Sequence, residues 1–110
     1  MNDVIEHLLN AYEVDVRYPD VSGMEHLNML QIRSELARYE DRLSQEQQRR
    51  LLAADQLLMR QADRFFAAIQ RIADLVAWRE EEGVTPKQWW WYLDVIARLP
   101  MSREELKRAA

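Results

Sequence analysis

An all-α fold follows from three features of the sequence. The chain holds only two glycines and three prolines in 110 residues, too little turn chemistry for a sheet-rich fold. From Gln45 to Glu82, 38 residues run without either. Along most of the chain, apolar residues recur at spacings of three and four, the period of one helical face. The expectation is a single helical domain over residues 1–110. It is an elongated bundle of four main helices plus a short C-terminal helix, built on one very long helix over about residues 45–82.

Asn2 can cap the first helix, and Val4, Ile5, Leu8, Leu9 and Tyr12 mark its face. Glu13–Tyr18 then alternates polar and apolar, and Tyr18 precedes Pro19, which disfavours the helical region. This predicts an extended segment. With no second strand in the chain, Val14–Tyr18 is either a lone connector or a strand added to another chain's sheet edge. Pro19-Asp20 makes a turn. Ser22 and Glu25 form a capping box that opens a second helix reaching about Arg42. Its apolar stripe is Met24, Leu27, Leu30, Ile32, Leu36, Tyr39 and Leu43.

Ser44 and Gln47 form a second capping box and open the long helix. A tight turn before Ser44 makes the two helices an antiparallel pair; without it they fuse into a rod from Met24 to Glu82. Gly83 closes the long helix, where a left-handed residue is cheapest. Leu51, Leu58, Ala62, Phe65, Ile69, Ile72 and Val76 form its main face. Leu52, Met59, Phe66 and Ala73 flank it on one side, and Leu57, Ala68 and Leu75 on the other. Together they cover about half the circumference, so this helix needs neighbours on two sides. At about 1.5 Å per residue it would run roughly 57 Å. A compact chain of this size is roughly 35 Å across. The excess predicts a coiled-coil-like homodimer, with Leu58, Phe65, Phe66, Ile69 and Ile72 as the self-association surface.

After Gly83, Thr85 reads as an N-cap, Pro86 as the first helical residue and Gln88 as its box partner. Val84 and Trp89 make a hydrophobic staple. A fourth helix is expected from Pro86 to about Leu99, stopped by Pro100. Ser102 with Glu105, and Met101 with Leu106, repeat the pattern for a short, fraying helix from Arg103 to Arg108.

Composition narrows the function classes. Net charge is −4, which does not favour general nucleic-acid affinity. The absence of cysteine excludes disulfides, thiolate metal sites and a cysteine nucleophile. No signal peptide is visible at the start, and no apolar run exceeds five residues, as in Trp89–Leu93. A cytoplasmic protein is expected. Residues 1–41 carry nine acids and three bases, whereas residues 84–110 carry three acids and five bases. Arginine outnumbers lysine 13 to 2.

Few residues suggest chemistry. His7 and His26 are the only imidazoles, and neither has the Glu-x-x-His spacing of a bundle metal site. Ser22, Ser44 and Ser102 read as caps, and no glycine-rich elbow surrounds them or Ser34. No metal, cofactor or catalytic residue is expected. In Trp89-Trp90-Trp91-Tyr92, helical geometry puts Trp90 and Trp91 on the flanks. There they are covered by Trp78 and neighbouring helices, or they meet a partner, as tryptophan does at interface hot spots. Glu80, Glu81 and Glu82 oppose the macrodipole at the end of the long helix.

The preferred function is therefore a non-enzymatic interaction protein: an adaptor, assembly factor or inhibitor. Trp90, Trp91, Glu80, Glu81 and Glu82 form its partner surface. One alternative is a ligand-binding or enzymatic bundle, with polar groups such as His7, His26 and Glu25 converging in a pocket. The other is a helix-turn-helix-like nucleic-acid binder over residues 86–108, disfavoured by Glu104 and Glu105 at the start of its recognition helix.

Overall fold

The computed structural model describes residues 2–99. Six α-helices occur among them: α1 (Asn2–Asp15), α2 (Gly23–Ala37), α3 (Gln45–Arg60), α4 (Ala62–Ile69), α5 (Leu75–Glu82) and α6 (Leu93–Ile96). 3₁₀ turns lie at Glu40–Arg42 and Trp89–Tyr92. No strand occurs among the described residues. The helix expected from Arg103 to Arg108, with its Ser102 cap, lies outside them.

The segment expected to be extended is helical. α1 reaches Asp15, and the Val16 N–H still donates to the Tyr12 carbonyl. The alternation of Val14 and Val16 concealed a helical series. Ile5, Leu9, Tyr12 and Val16 are all buried, whereas Val14 faces out. No strand for another chain's sheet is left here.

α2 begins as expected, with the Ser22 hydroxyl accepting from the Glu25 N–H. It ends at Ala37, and the 3₁₀ turn Glu40–Arg42 reverses the chain. The capping box at Ser44 is complete: its hydroxyl accepts from the Gln47 N–H, and the Gln47 side chain accepts from the Ser44 N–H. The continuous rod is thereby excluded. Of the expected apolar stripe, Leu30, Leu36 and Leu43 are buried and Leu27, Ile32 and Tyr39 pack partly against the core. Met24 is exposed, and the inward residues are His26, Met29, Leu30, Arg33 and Leu36.

The single long helix is corrected. The stretch is divided into α3, α4 and α5, and the longest of them, α3, has 16 residues. The first break is a kink at Gln61, which leaves the helical region at φ −115°, ψ 25°. The second lies between Ile69 and Leu75. There the Ile72 and Ala73 N–H groups both turn back to the Ile69 carbonyl, and the Asp74 carboxylate caps α5 by accepting from Val76 and Ala77. Neither break needs glycine or proline. Folding back lets one wide apolar face meet several partners: α1 packs on α2 and α3, and α2 and α6 pack on α4. The described chain measures 34 × 32 × 26 Å, so nothing projects as a 57 Å rod would.

The reason given for a homodimer disappears with the rod. Leu58, Phe65 and Ile69 are fully buried within this one chain, Phe66 is half-buried, and only Ile72 is exposed. The fourth helix is also shorter than expected. Thr85 sits in a turn, its carbonyl accepting from the Gln88 N–H, and the aromatic run winds as a 3₁₀ turn before the four-residue α6. Gly83 does close α5, at φ 63°.

α2 and α4 touch through backbone. A Cβ on Gly23 would lie 2.3 Å from the Ala68 carbonyl oxygen. The Gly23→Ala variant should lose about 1–3 kcal/mol of stability, read as a shifted urea midpoint. An unchanged midpoint would mean that the two helices do not approach this closely.

Candidate functional site

The polar centre of the molecule is built from three helices. Arg33, on α2, donates from Nε to Asp55 Oδ1 at 2.9 Å and from Nη2 to Oδ2 at 3.1 Å. Asp55, on α3, also accepts the Tyr12 hydroxyl of α1 at 2.6 Å. The Arg33 guanidinium lies 4.2 Å from the Trp90 ring centre, a cation–π contact. All four residues are buried. Burial, then the adjacent Asp55 charge, pushes the Tyr12 phenol well above its ordinary range. For Arg33, burial lowers the pKa but hydrogen bonding and charge from Asp55 more than offset it, so the guanidinium is held charged.

Arg33 is not saturated by these partners. Its Nη1 is buried and has no hydrogen-bond partner among the described residues. Arg33 and Asp55 line a pocket of about 280 Å³ between the Glu40–Arg42 turn and α3. Leu43, Leu51 and Leu52 form its apolar wall. Glu40 and Gln48 complete the polar side. The Gln48 amide nitrogen donates to the Leu43 carbonyl at 3.2 Å, which leaves the Gln48 oxygen as an acceptor. A pocket with an apolar wall, a few fixed polar groups and perturbed titrations is the default location of a binding site.

The expected site residues fall elsewhere. Trp90 and Trp91 are 2% and 3% exposed, not surface flanks. The Ser34 hydroxyl of α2 accepts both indole N–H groups, at 2.9 and 2.8 Å, and Trp78 stacks on Trp91 with ring centres 5.5 Å apart. The 3₁₀ winding of residues 89–92 turns both rings inward, which a helical wheel could not anticipate. Glu80, Glu81 and Glu82 remain exposed. The partner surface built from all five residues is therefore not assembled as expected. His7 and Glu25 are exposed while His26 is wholly buried, so those three do not converge. His26 Nε2 lies 2.9 Å from the Pro19 carbonyl and donates to it, and its ring packs edge-on against Phe65. Among the described residues no group of three His, Asp or Glu side chains is placed to hold a metal.

Three residues of this centre were missed. Arg33 and Asp55 were not singled out from the sequence, and Ser34 was noted only as a serine without a glycine-rich elbow. The available signal was register: Arg33 lies three or four residues from Met29, Leu30 and Leu36, and Asp55 lies four from Leu51 and three from Leu58.

A second ion pair ties α5 to α6. Arg79 donates through Nη1 and Nη2 to the two oxygens of Asp94, and Nη1 also donates to the Trp91 carbonyl at 2.9 Å. Burial pushes the Asp94 carboxyl up, but the Arg79 guanidinium more than offsets it and holds the pKa below the usual carboxylate range. The unfolded chain therefore takes up this proton first, at about pH 4. The contribution of the pair is complete above that value and is lost as pH falls through the lower, folded value. Asp94→Asn should thus be less stable than the parent near neutral pH, and the gap should close as pH falls below about 4. Urea unfolding at several pH values measures this; a gap that stays constant into acid would refute it. Comparison of the chain with known protein families, curated proteins and solved structures finds no match.

Proposed function

We propose that this chain is a non-enzymatic protein-interaction module that grips its partner in the Arg33–Asp55 pocket. The supporting observation is the pocket of about 280 Å³ itself, where a leucine wall meets the Arg33–Asp55 ion pair, Glu40 and Gln48. The other polar groups of the core serve as ties: Asp55 joins α2 to α3, Arg79 joins α5 to α6, and Ser34 holds the tryptophans. The leucine wall supplies apolar area at the pocket mouth, where Leu52 is 55% exposed. This reading keeps the interaction class expected from the sequence and moves its surface from the Trp90–Glu82 end to the α2–α3 side.

The test uses pools of short peptides titrated into isotope-labelled protein and followed by two-dimensional NMR. Shifts should concentrate at Leu43, Gln48, Leu52, the Arg33 Nε–H and the Trp90 indole. Leu52→Arg puts a bulky cation at the mouth and should abolish the shifts with little change in melting temperature. No shifts with any pool, or equal shifts in the variant, would refute the reading.

A second reading is self-association, now through the α4–α6 side. Ile72, Val76, Val95 and Leu99 are each 44–50% exposed, and Val76 borders a depression of about 300 Å³ that Phe66 and Ala73 also line. Exposed apolar side chains mark interaction surfaces where they adjoin one another. Light scattering after size exclusion should give a dimer mass that Val76→Asp reduces to a monomer. A monomer mass for the parent removes this reading.

A further inference from the structure

The depression of about 300 Å³ on the α4–α6 side lies where three segments meet. Phe66 comes from α4, Ala73 and Asp74 from the break before α5, Val76 from α5, and Arg98 from the residues after α6. Its floor is apolar and wet. Val76 is 46% exposed, and Phe66 and Ala73 are partly buried.

The chain leaves the described fold from this edge. Arg98 lines the depression, and Leu99, the next residue, is exposed. Residues 100–110 follow. Half of that segment, extended at about 3.3 Å per residue, already exceeds the width of a depression of this volume. A short tether also holds its own chain at an effective concentration on the order of millimolar. A separate partner of equal affinity would have to be that concentrated to compete.

The segment matches the surface in pattern and charge. The helix expected from Arg103 to Arg108 puts Glu104 on the side opposite Leu106, with Arg103 and Lys107 beside Leu106. Met101 supplies a second apolar side chain ahead of it. On the fold, Asp74 lines the depression, and Glu80 stands exposed one turn beyond Val76 on α5. Residues 74–82 carry four acids and one base, whereas residues 101–110 carry three bases and two acids.

We infer that residues 101–110 fold back as a strap over this depression of their own chain. Leu106 and Met101 cover Val76 and Phe66, and Arg103 and Lys107 meet Asp74 and Glu80. The strap takes the place that the self-association reading gives to a second copy, so the two exclude each other. It does not depend on the α2–α3 pocket. Displacing the strap bares an apolar floor, which makes this side of the molecule a surface that can be opened and closed.

The chain has no cysteine, so a nitroxide on Ala109→Cys sits at a single place. In the isotope-labelled full chain it should broaden the amide resonances of Ala73, Val76 and Glu80 and leave Leu43 and Leu52 sharp. Adding Leu106→Asp to the tagged chain should remove most of that broadening. Arg103→Glu with Lys107→Glu should weaken it, as should added salt. Unchanged resonances at Leu43 and Leu52 report that each variant keeps its fold; where Leu106→Asp does not, the charge reversal decides. A tail that samples all directions broadens whatever surrounds its anchor equally in every variant, so equal broadening overturns the inference. Tagged unlabelled chain mixed with untagged labelled chain identifies the source. Broadening at Val76 in that mixture puts another copy's tail on the depression and also overturns it. So does a dimer of the parent that Val76→Asp dissociates, because a second copy is then the occupant.

Discussion

Arg33 holds the fold together and sets its most demanding constraint. One guanidinium joins α2 to α3 through Asp55, meets α1 through the tyrosine that shares that carboxylate, and seats the Trp89–Tyr92 turn on its face. Taking these charges out of water is costly, and the pair is tolerated because both ends are hydrogen-bonded in a fixed, bidentate arrangement. Removing one partner of such a pair typically costs about 3–5 kcal/mol, because the other charge is left buried alone. Four segments must therefore arrive in one geometry or the centre fails. The apolar core around it, Leu9, Leu30, Leu58 and Phe65 among others, would accept many packings; the ion pair accepts one. The same demand explains the spare Nη1. A guanidinium presents its donors in a rigid fork, and a carboxylate can occupy only part of it.

The division of residues 45–82 follows from the same core. An uninterrupted helix would leave half of its apolar surface bare. Breaking at Gln61 and again before Asp74 lets Leu51, Leu58, Ala62, Phe65 and Ile69 stay on one buried line while α5 swings Trp78 onto Trp91. The cost is a few helical hydrogen bonds. Most of the freed N–H groups at the second break find the Ile69 carbonyl or the Asp74 side chain instead. Helix propensity along this stretch is high, and tertiary packing overrides it.

The helical class, the starts of α2 and α3 and the end of α5 were legible, because capping is local chemistry. Ser22, Ser44 and Gly83 act through bonds that span three or four residues. The helix breaks were not legible, because Asp74 is an ordinary acid until the chain beyond it must turn. The candidate pocket was hidden for a different reason. α2 carries apolar residues all round, with Met24 outside and Met29 inside, so its period does not reveal which face is buried. Only the partners on α1 and α3 decide that Arg33 points inward. Trp90 and Trp91 were misplaced because a helical wheel was applied to a segment that winds as 3₁₀, with three residues per turn.

The Ser34 hydroxyl accepts from residues 56 and 57 positions further along the chain, and Tyr12 reaches Asp55 across 43. A bundle closed by neighbouring helices alone could form quickly from local contacts. Here, by contrast, α2 completes its own backbone early, but its hydroxyl and its guanidinium face stay bare until the aromatic turn returns. Loop closure over such separations is paid before the contacts reward it, and these bonds wait for residues 90 and 91 to return to α2. A ribosome that has released only the first five helices has therefore released a chain whose centre is still open. The last described stretch, short as it is, acts as the keystone in time as well as in space.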